Sequence, residues 1–129
     1  MSVTVRELYN FVNSFAPFDV KWSRDNVGIL VGDARHECGR ALLALDITAG
    51  TVQEAKDKSA DVIISHHPVI FNPISNLCEG SPVYLLAKYG ICALCCHTNL
   101  DYAPGGVNDV LIRICGVEGD ISELYDEEG

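Results

Sequence analysis

Asp61-Val62-Ile63-Ile64-Ser65-His66-His67-Pro68 joins a short apolar run to a pair of histidines. Its short apolar run, bounded by polar residues, reads as a buried strand. Two histidines follow at once, and imidazole is both the commonest protein metal ligand and the usual proton carrier near neutral pH. A second apolar run, Ile91 to Cys96, ends at His97, with Asp101 four residues further on. A third, Ala41 to Leu45, ends in Asp46 and has the two-sided apolarity of a strand buried between helices.

Helical signals separate these runs. Thr4-Val5-Arg6-Glu7 is a capping box ahead of Leu8, Phe11, Val12 and Phe15, and this predicts a first helix that stops before Pro17. Asp25 to Gly32 reads as a turn feeding a short strand bounded by glycines. Thr51-Val52-Gln53-Glu54 predicts a second capped helix running towards Ser59. Ser81 and Pro82 suit the N-cap and N1 positions of a third, with Gly90 at its C-terminal end. Gly105-Gly106 leads into Val107, Val110, Leu111 and Ile114 at helical spacing, with Gly116 as the stop. This alternation predicts a three-layer α/β fold: a mainly parallel sheet with right-handed crossovers and helices on both faces. Its parallel strands should end at Asp46, Ser65 and Cys96. Residues 1–119 are expected to form a single metal-binding domain and 120–129 an acidic tail.

A chain of 129 residues suffices for one domain with a real core. Asp and Glu number 18 against 9 Lys and Arg, which argues against a binder of the nucleic-acid backbone. Part of the excess lies in Asp120, Glu123, Asp126, Glu127 and Glu128, a run that reads as a solvated, frayed terminus. No apolar segment approaches the ~20 residues of a membrane span, and the N-terminus lacks the form of a secretory signal. The expectation is a cytoplasmic protein with no membrane partner. Among six cysteines, Cys92 and Cys95 have C-x-x-C spacing and Cys96 follows. Residues three apart on a strand face opposite sides, and a zinc knuckle needs a turn between its thiols. These cysteines therefore read as small apolar core residues.

Asp46, His66, His67 and His97 all fall at carboxyl ends of predicted parallel strands, the edge where open α/β sheets bind ligands. Neighbours on a strand point in opposite directions, so His66 and His67 should not grip one ion together. They could hold one ion each if two metals lay about 3.5–4 Å apart. Pro68 favours an extended backbone at His67. His97-Thr98-Asn99-Leu100-Asp101 reads as a turn that returns a carboxylate to the same edge. Imidazole with carboxylate suits zinc, iron or manganese better than calcium. Asp46 stands open between ligand and helix cap, and His36, between Arg35 and Glu37, reads as surface.

The same stretches carry a resemblance. They are Asp25-Asn26-Val27-Gly28 with Val31-Gly32, Ala44-Leu45-Asp46-Ile47-Thr48, Ser65-His66-His67-Pro68-Val69-Ile70-Phe71 with Pro73-Ile74, His97-Thr98-Asn99-Leu100-Asp101, and Gly105-Gly106-Val107-Asn108-Asp109. In order and spacing, over nearly the whole chain, they resemble the Nif-three-like dinuclear metal centre family, also called GTP cyclohydrolase 1 type 2. The resemblance implies a two-metal site with His66, His67 and Asp101 as ligands and His97 close by. It also implies toroidal homohexamers whose metal centres face an internal cavity. Family members take further ligands, including a bridging glutamate, from a C-terminal His-x-x-x-Glu motif. This sequence has no histidine after His97, and Glu118 and Glu123 lack that partner. The expectation is therefore weakly held metal and little activity unless a partner chain supplies the second half.

Two functions follow. One is a metal-dependent hydrolase of a nucleotide or phosphoester, with His97 as the catalytic proton carrier. In that reading, the amides opening the Val107 helix could receive a phosphate. The other is a non-catalytic metal-binding assembly or regulatory subunit.

Overall fold

A computed structural model describes residues 2–119, so the acidic run at 120–129 lies outside the described residues. The elements in chain order are β1 (Val3–Thr4), α1 (Val5–Phe15), β2 (Gly28–Val31), β3 (Glu37–Cys38), β4 (Ala41–Ala44), α2 (Ala49–Asp57), β5 (Val62–Ser65), α3 (Pro82–Tyr89), β6 (Cys92–Cys95), α4 (Thr98–Tyr102) and α5 (Val107–Ile114). The main sheet has the order β2-β6-β5-β4, and β1 pairs with β3 in a separate two-stranded ribbon. β4, β5 and β6 run parallel, with Ile63 opposite both Leu42 and Ala93. β2 joins β6 antiparallel, with Gly28 opposite Cys95. Of the predicted strand ends, Ser65 is met, while β4 stops at Ala44, short of Asp46, and β6 at Cys95, one residue before Cys96.

Side-chain alternation divides the core into two layers. Val62 on β5, with Cys92, Leu94 and Cys96 from the β6 run, packs against Val5 and Val12 of α1 and against Phe18. Ile63 and Ala93, from the same two runs, point the other way onto Val52 and Ala55 of α2 and Leu86 of α3. The result is a mixed, mostly parallel sheet between two helical layers.

Local chemistry sets the helix ends. Thr4 Oγ1 accepts from Glu7 N–H at 3.2 Å while Glu7 Oε2 accepts from Thr4 N–H at 2.7 Å, a complete capping box. α3 begins with Ser81 capping Tyr84 N–H and ends at Gly90, whose φ of 67° favours glycine. α2 differs from the sequence reading. It starts three residues early, because Thr48 holds the extended cap conformation and its Oγ1 accepts from Thr51 N–H at 3.1 Å. Thr51 is an interior residue, and its hydroxyl donates to the Asp46 carbonyl. Residues 98–102 also differ, forming the short helix α4 in place of the predicted turn. Gly106 links α4 to α5, where a Cβ would overlap the Leu100 and Ala103 carbonyl oxygens.

β4 also departs from its expected burial. Its apolar run predicts burial on both faces, yet β4 is an edge strand covered on one. Leu42 and Ala44 pack on the α2–α3 core, while Leu43 is 78 % and Leu45 62 % exposed. The α1 layer stops over β5 and β6.

Candidate metal centre

The parallel strands deliver His66, His67 and His97 to one place. One nitrogen from each imidazole lies within 4.8 Å of the others, and the ring centroids are 5.2 to 5.7 Å apart. His66 and His67 therefore share a side, against the alternation expected of a strand. The cause lies in the backbone. His66 N–H and His67 N–H both donate towards β4, to the Ala44 and Leu45 carbonyls at 3.3 and 2.9 Å. Successive N–H groups of a regular strand point to opposite edges, so the repeat breaks just after Ser65. Ser65 Oγ donates to the His67 carbonyl, and the Cys95 thiol donates to the His66 carbonyl.

Each imidazole is tied to one carboxylate. His66 Nε2 lies 3.0 Å from Asp101 Oδ1, and His67 Nδ1 lies 2.7 Å from Asp46 Oδ1. His97 Nδ1 sits 3.0 Å from both Asp25 oxygens. A carboxylate accepts only, so in a neutral imidazole placed this way the facing nitrogen carries the proton and the other is a lone pair. Metal-ligating histidines show this arrangement, one nitrogen on a carboxylate and the other on the ion. His66 Nδ1 is buried and has no hydrogen-bond partner among the described residues. A buried polar atom without a partner costs about 1–3 kcal/mol, and a lone pair in that state suits a cation. The residues present thus fit a divalent ion.

All four expected site residues, His66, His67, His97 and Asp101, come together. Asp46 joins them through His67, and its side chain is not the helix cap, since Thr48 is. Asp25 is the residue that sequence reading missed. It appeared in a turn and in one of the family-like stretches without a role, and its partner lies 72 residues away. Its side chain is 0 % exposed. Burial alone would raise its carboxyl pKa, but hydrogen bonds from Thr98 Oγ1, His97 and Thr98 N–H hold it below the usual carboxylate value.

The phosphate reading of the Val107 helix is not favoured by the geometry. The Gly105 N–H already donates to Asp109 Oδ2 at 2.5 Å, which places a carboxylate where the anion would come. Cys92, Cys95 and Cys96 keep the core role read from sequence: burial pushes Cys95 up to about 12 and Cys96 to about 11. A pocket of about 580 Å³ opens beside the histidines, lined by Leu43, Ala44, Leu45, His66, His67 and Val107. Among the described residues, no helix is long and apolar enough to cross a membrane.

Comparison with known proteins gives consistent relatives. The chain is 34 % identical over 122 residues to a GTP cyclohydrolase 1 type 2 homolog of Clostridium acetobutylicum, covering 92 % of this chain and 46 % of the relative. A protein of the same description from Lactococcus lactis is 40 % identical over 89 % of this chain and 46 % of its own length. The chain therefore spans about half the length of these relatives. The crystal structure of a Bacillus cereus protein related to NIF3 superposes with a TM-score of 0.86 at 33 % identity, over 91 % of this chain and 34 % of the other. The Duf34/NIF3 (NGG1p interacting factor 3) family model matches residues 3–127, and the chain belongs to that family.

Proposed function

We propose that this chain holds a divalent metal at His66, His67 and His97, with Asp101 beside them, for hydrolysis of a nucleotide or phosphoester. The observation that carries the reading is the set of three imidazoles, each fixed through one nitrogen by a carboxylate, with donor atoms within 4.8 Å. The description of the relatives as GTP cyclohydrolase 1 type 2 homologs supports a nucleotide substrate. Zinc, iron or manganese suits the donor set, and two ions are accommodated if Asp46 and Asp101 also turn onto metal. A bound ion supplies Lewis acidity and makes water a usable nucleophile near neutral pH. The chain's own residues do the rest. Asp101 and Asp46 orient His66 and His67, Leu43, Leu45 and Val107 give the pocket an apolar wall, and His97 Nε2 is free to ligate or to take a proton. Six free cysteines fit a reducing compartment, which supports the cytoplasm as its location.

The test is zinc and manganese titration followed by hydrolysis of GTP and a nitrophenyl phosphate ester in excess metal. Wild type, His67→Ala and His97→Ala are compared. His67→Ala should abolish saturable binding. If His97 carries the proton, His97→Ala keeps the metal but loses about 10²–10⁴ in turnover; if it is a donor, both fall. A wild-type chain that binds neither metal refutes the centre.

A second reading, a metal-binding assembly subunit, has its own support in the apolar surface left open by Leu43, Leu45, Leu111 and Ile114. We propose a homo-oligomer, hexameric by family resemblance, or a partner chain carrying the further half as what covers it. Stoichiometric metal without turnover of either substrate would favour this reading.

A further inference from the structure

His97 is the second residue beyond β6, and its ring is tied on the Nδ1 side to a single carboxylate. The Asp25 carboxylate, fully buried, takes His97 Nδ1–H with both oxygens at 3.0 Å. The same carboxylate accepts from Thr98 N–H at 3.1 Å and from the Thr98 hydroxyl. Asn26 N–H donates to Asp25 Oδ1 at 2.8 Å. A carboxylate with this many donors has no freedom to turn.

The turn that carries Asp25 is itself pinned. Trp22 N–H donates to Thr98 Oγ1 at 3.0 Å, and Lys21 Nζ donates to the Asp25 carbonyl at 2.5 Å. Asn26 Nδ2 reaches across to the Ile70 carbonyl at 2.7 Å, on the segment that follows His67. Two adjacent side chains thus grip both histidine-bearing strand ends, Asp25 at His97 and Asn26 just past His67.

We propose that Asp25 is the positioning residue of the centre, fixing His97 as the Nδ1–H tautomer so that Nε2 stands as a lone pair beside His66 and His67. The inference rests on the metal reading above for its purpose, but the tautomer it assigns belongs to the protein without any ion. It follows from chemistry alone. A carboxylate that only accepts forces the proton onto Nδ1, whereas an amide in its place can donate and so favour the other tautomer. Loss of such an orienting partner typically costs 10–100-fold in metal affinity.

The experiment is nitrogen-15 NMR of the histidine rings in metal-free protein at pH about 8.5, above the ordinary imidazole value of about 6.5. Wild type should show His97 as Nδ1–H. Asp25→Asn, nearly isosteric, should move His97 towards Nε2–H, leave the surface residue His36 unchanged, and weaken zinc binding about 10–100-fold. Thr98→Val removes one donor to Asp25 and should give a smaller change in the same direction. Amide spectra of both variants check that the fold survives. Should Asp25→Asn unfold the chain, the wild-type tautomer and Thr98→Val still decide. His97 as Nε2–H in wild type overturns the inference, as does a folded Asp25→Asn chain with unchanged tautomer and zinc affinity. An Nδ1–H tautomer controlled by Asp25 in a chain that binds no zinc supports the positioning and overturns the metal reading instead.

Discussion

Cys95 and Cys96 stand immediately before His97, where a thiolate would compete for the same ion. Burial prevents it, raising both thiols far above neutral pH. Cys38 and Cys92 are raised by burial too, while Cys78 and Cys115 are exposed. Iodoacetamide at pH about 8 should therefore label Cys78 and Cys115 in the native protein and reach the other four only after unfolding. Peptide mass spectrometry reads this directly, and rapid native labelling of Cys95 would contradict the burial. The cysteine role was legible because alternation on a strand is local. The Asp25–His97 pair was not, because nothing within a few residues of either marks the other.

At the scale of elements, Thr4 and Glu7 show what local sequence can do. Replacing Thr4 with Ala removes a cap and should cost about 1 kcal/mol in chemical denaturation. Glu7 adds a pH dependence. Its hydrogen bonds from the Thr4 backbone N–H and hydroxyl lower its pKa below the carboxylate reference. A depressed carboxylate stabilises the fold above its unfolded pKa and loses that contribution as pH falls through its folded value. Stability curves should accordingly be flatter with pH below neutrality in Glu7→Gln than in wild type, and parallel curves would show that the box contributes nothing. Thr51 teaches the opposite lesson. Both Thr48 and Thr51 offer a hydroxyl ahead of helical residues, and the choice fell to Thr48 because the chain turns there on leaving β4.

The whole molecule buries β5 and β6 on both faces but leaves one flank open. α5 has no buried residue, and its Val107, Leu111 and Ile114, at helical spacing, are exposed, with Val107 lining the same pocket as Leu43 and Leu45. Apolar patches of this kind mark association surfaces. The double substitution Leu111→Lys with Ile114→Lys should change folding stability by no more than about 0.5 kcal/mol. It should weaken self-association about tenfold or more, since each buried Leu or Ile is worth roughly 1.5–3 kcal/mol. Sedimentation equilibrium measures this, and unchanged association in the double variant would place the contact elsewhere.

Local sequence specified the alternation of the main strands and helices, though not β1, β3 or α4, together with three of the four helix starts it marked and the parallel strands to within two residues of their ends, and hence the edge that carries His66, His67 and His97. Caps, apolar runs and strand alternation act over a few residues, so they can be read without knowing the neighbours. Tertiary packing, by contrast, placed Ala41 to Leu45 at an edge, because exposure depends on whether a distant helix covers that face. It alone turned His66 and His67 to the same side, through two successive hydrogen bonds to β4. It also chose Asp25 as the partner of His97. The antiparallel pairing of Gly28 with Cys95 brings these residues together, and strand pairing is a non-local choice that no local pattern in either segment encodes.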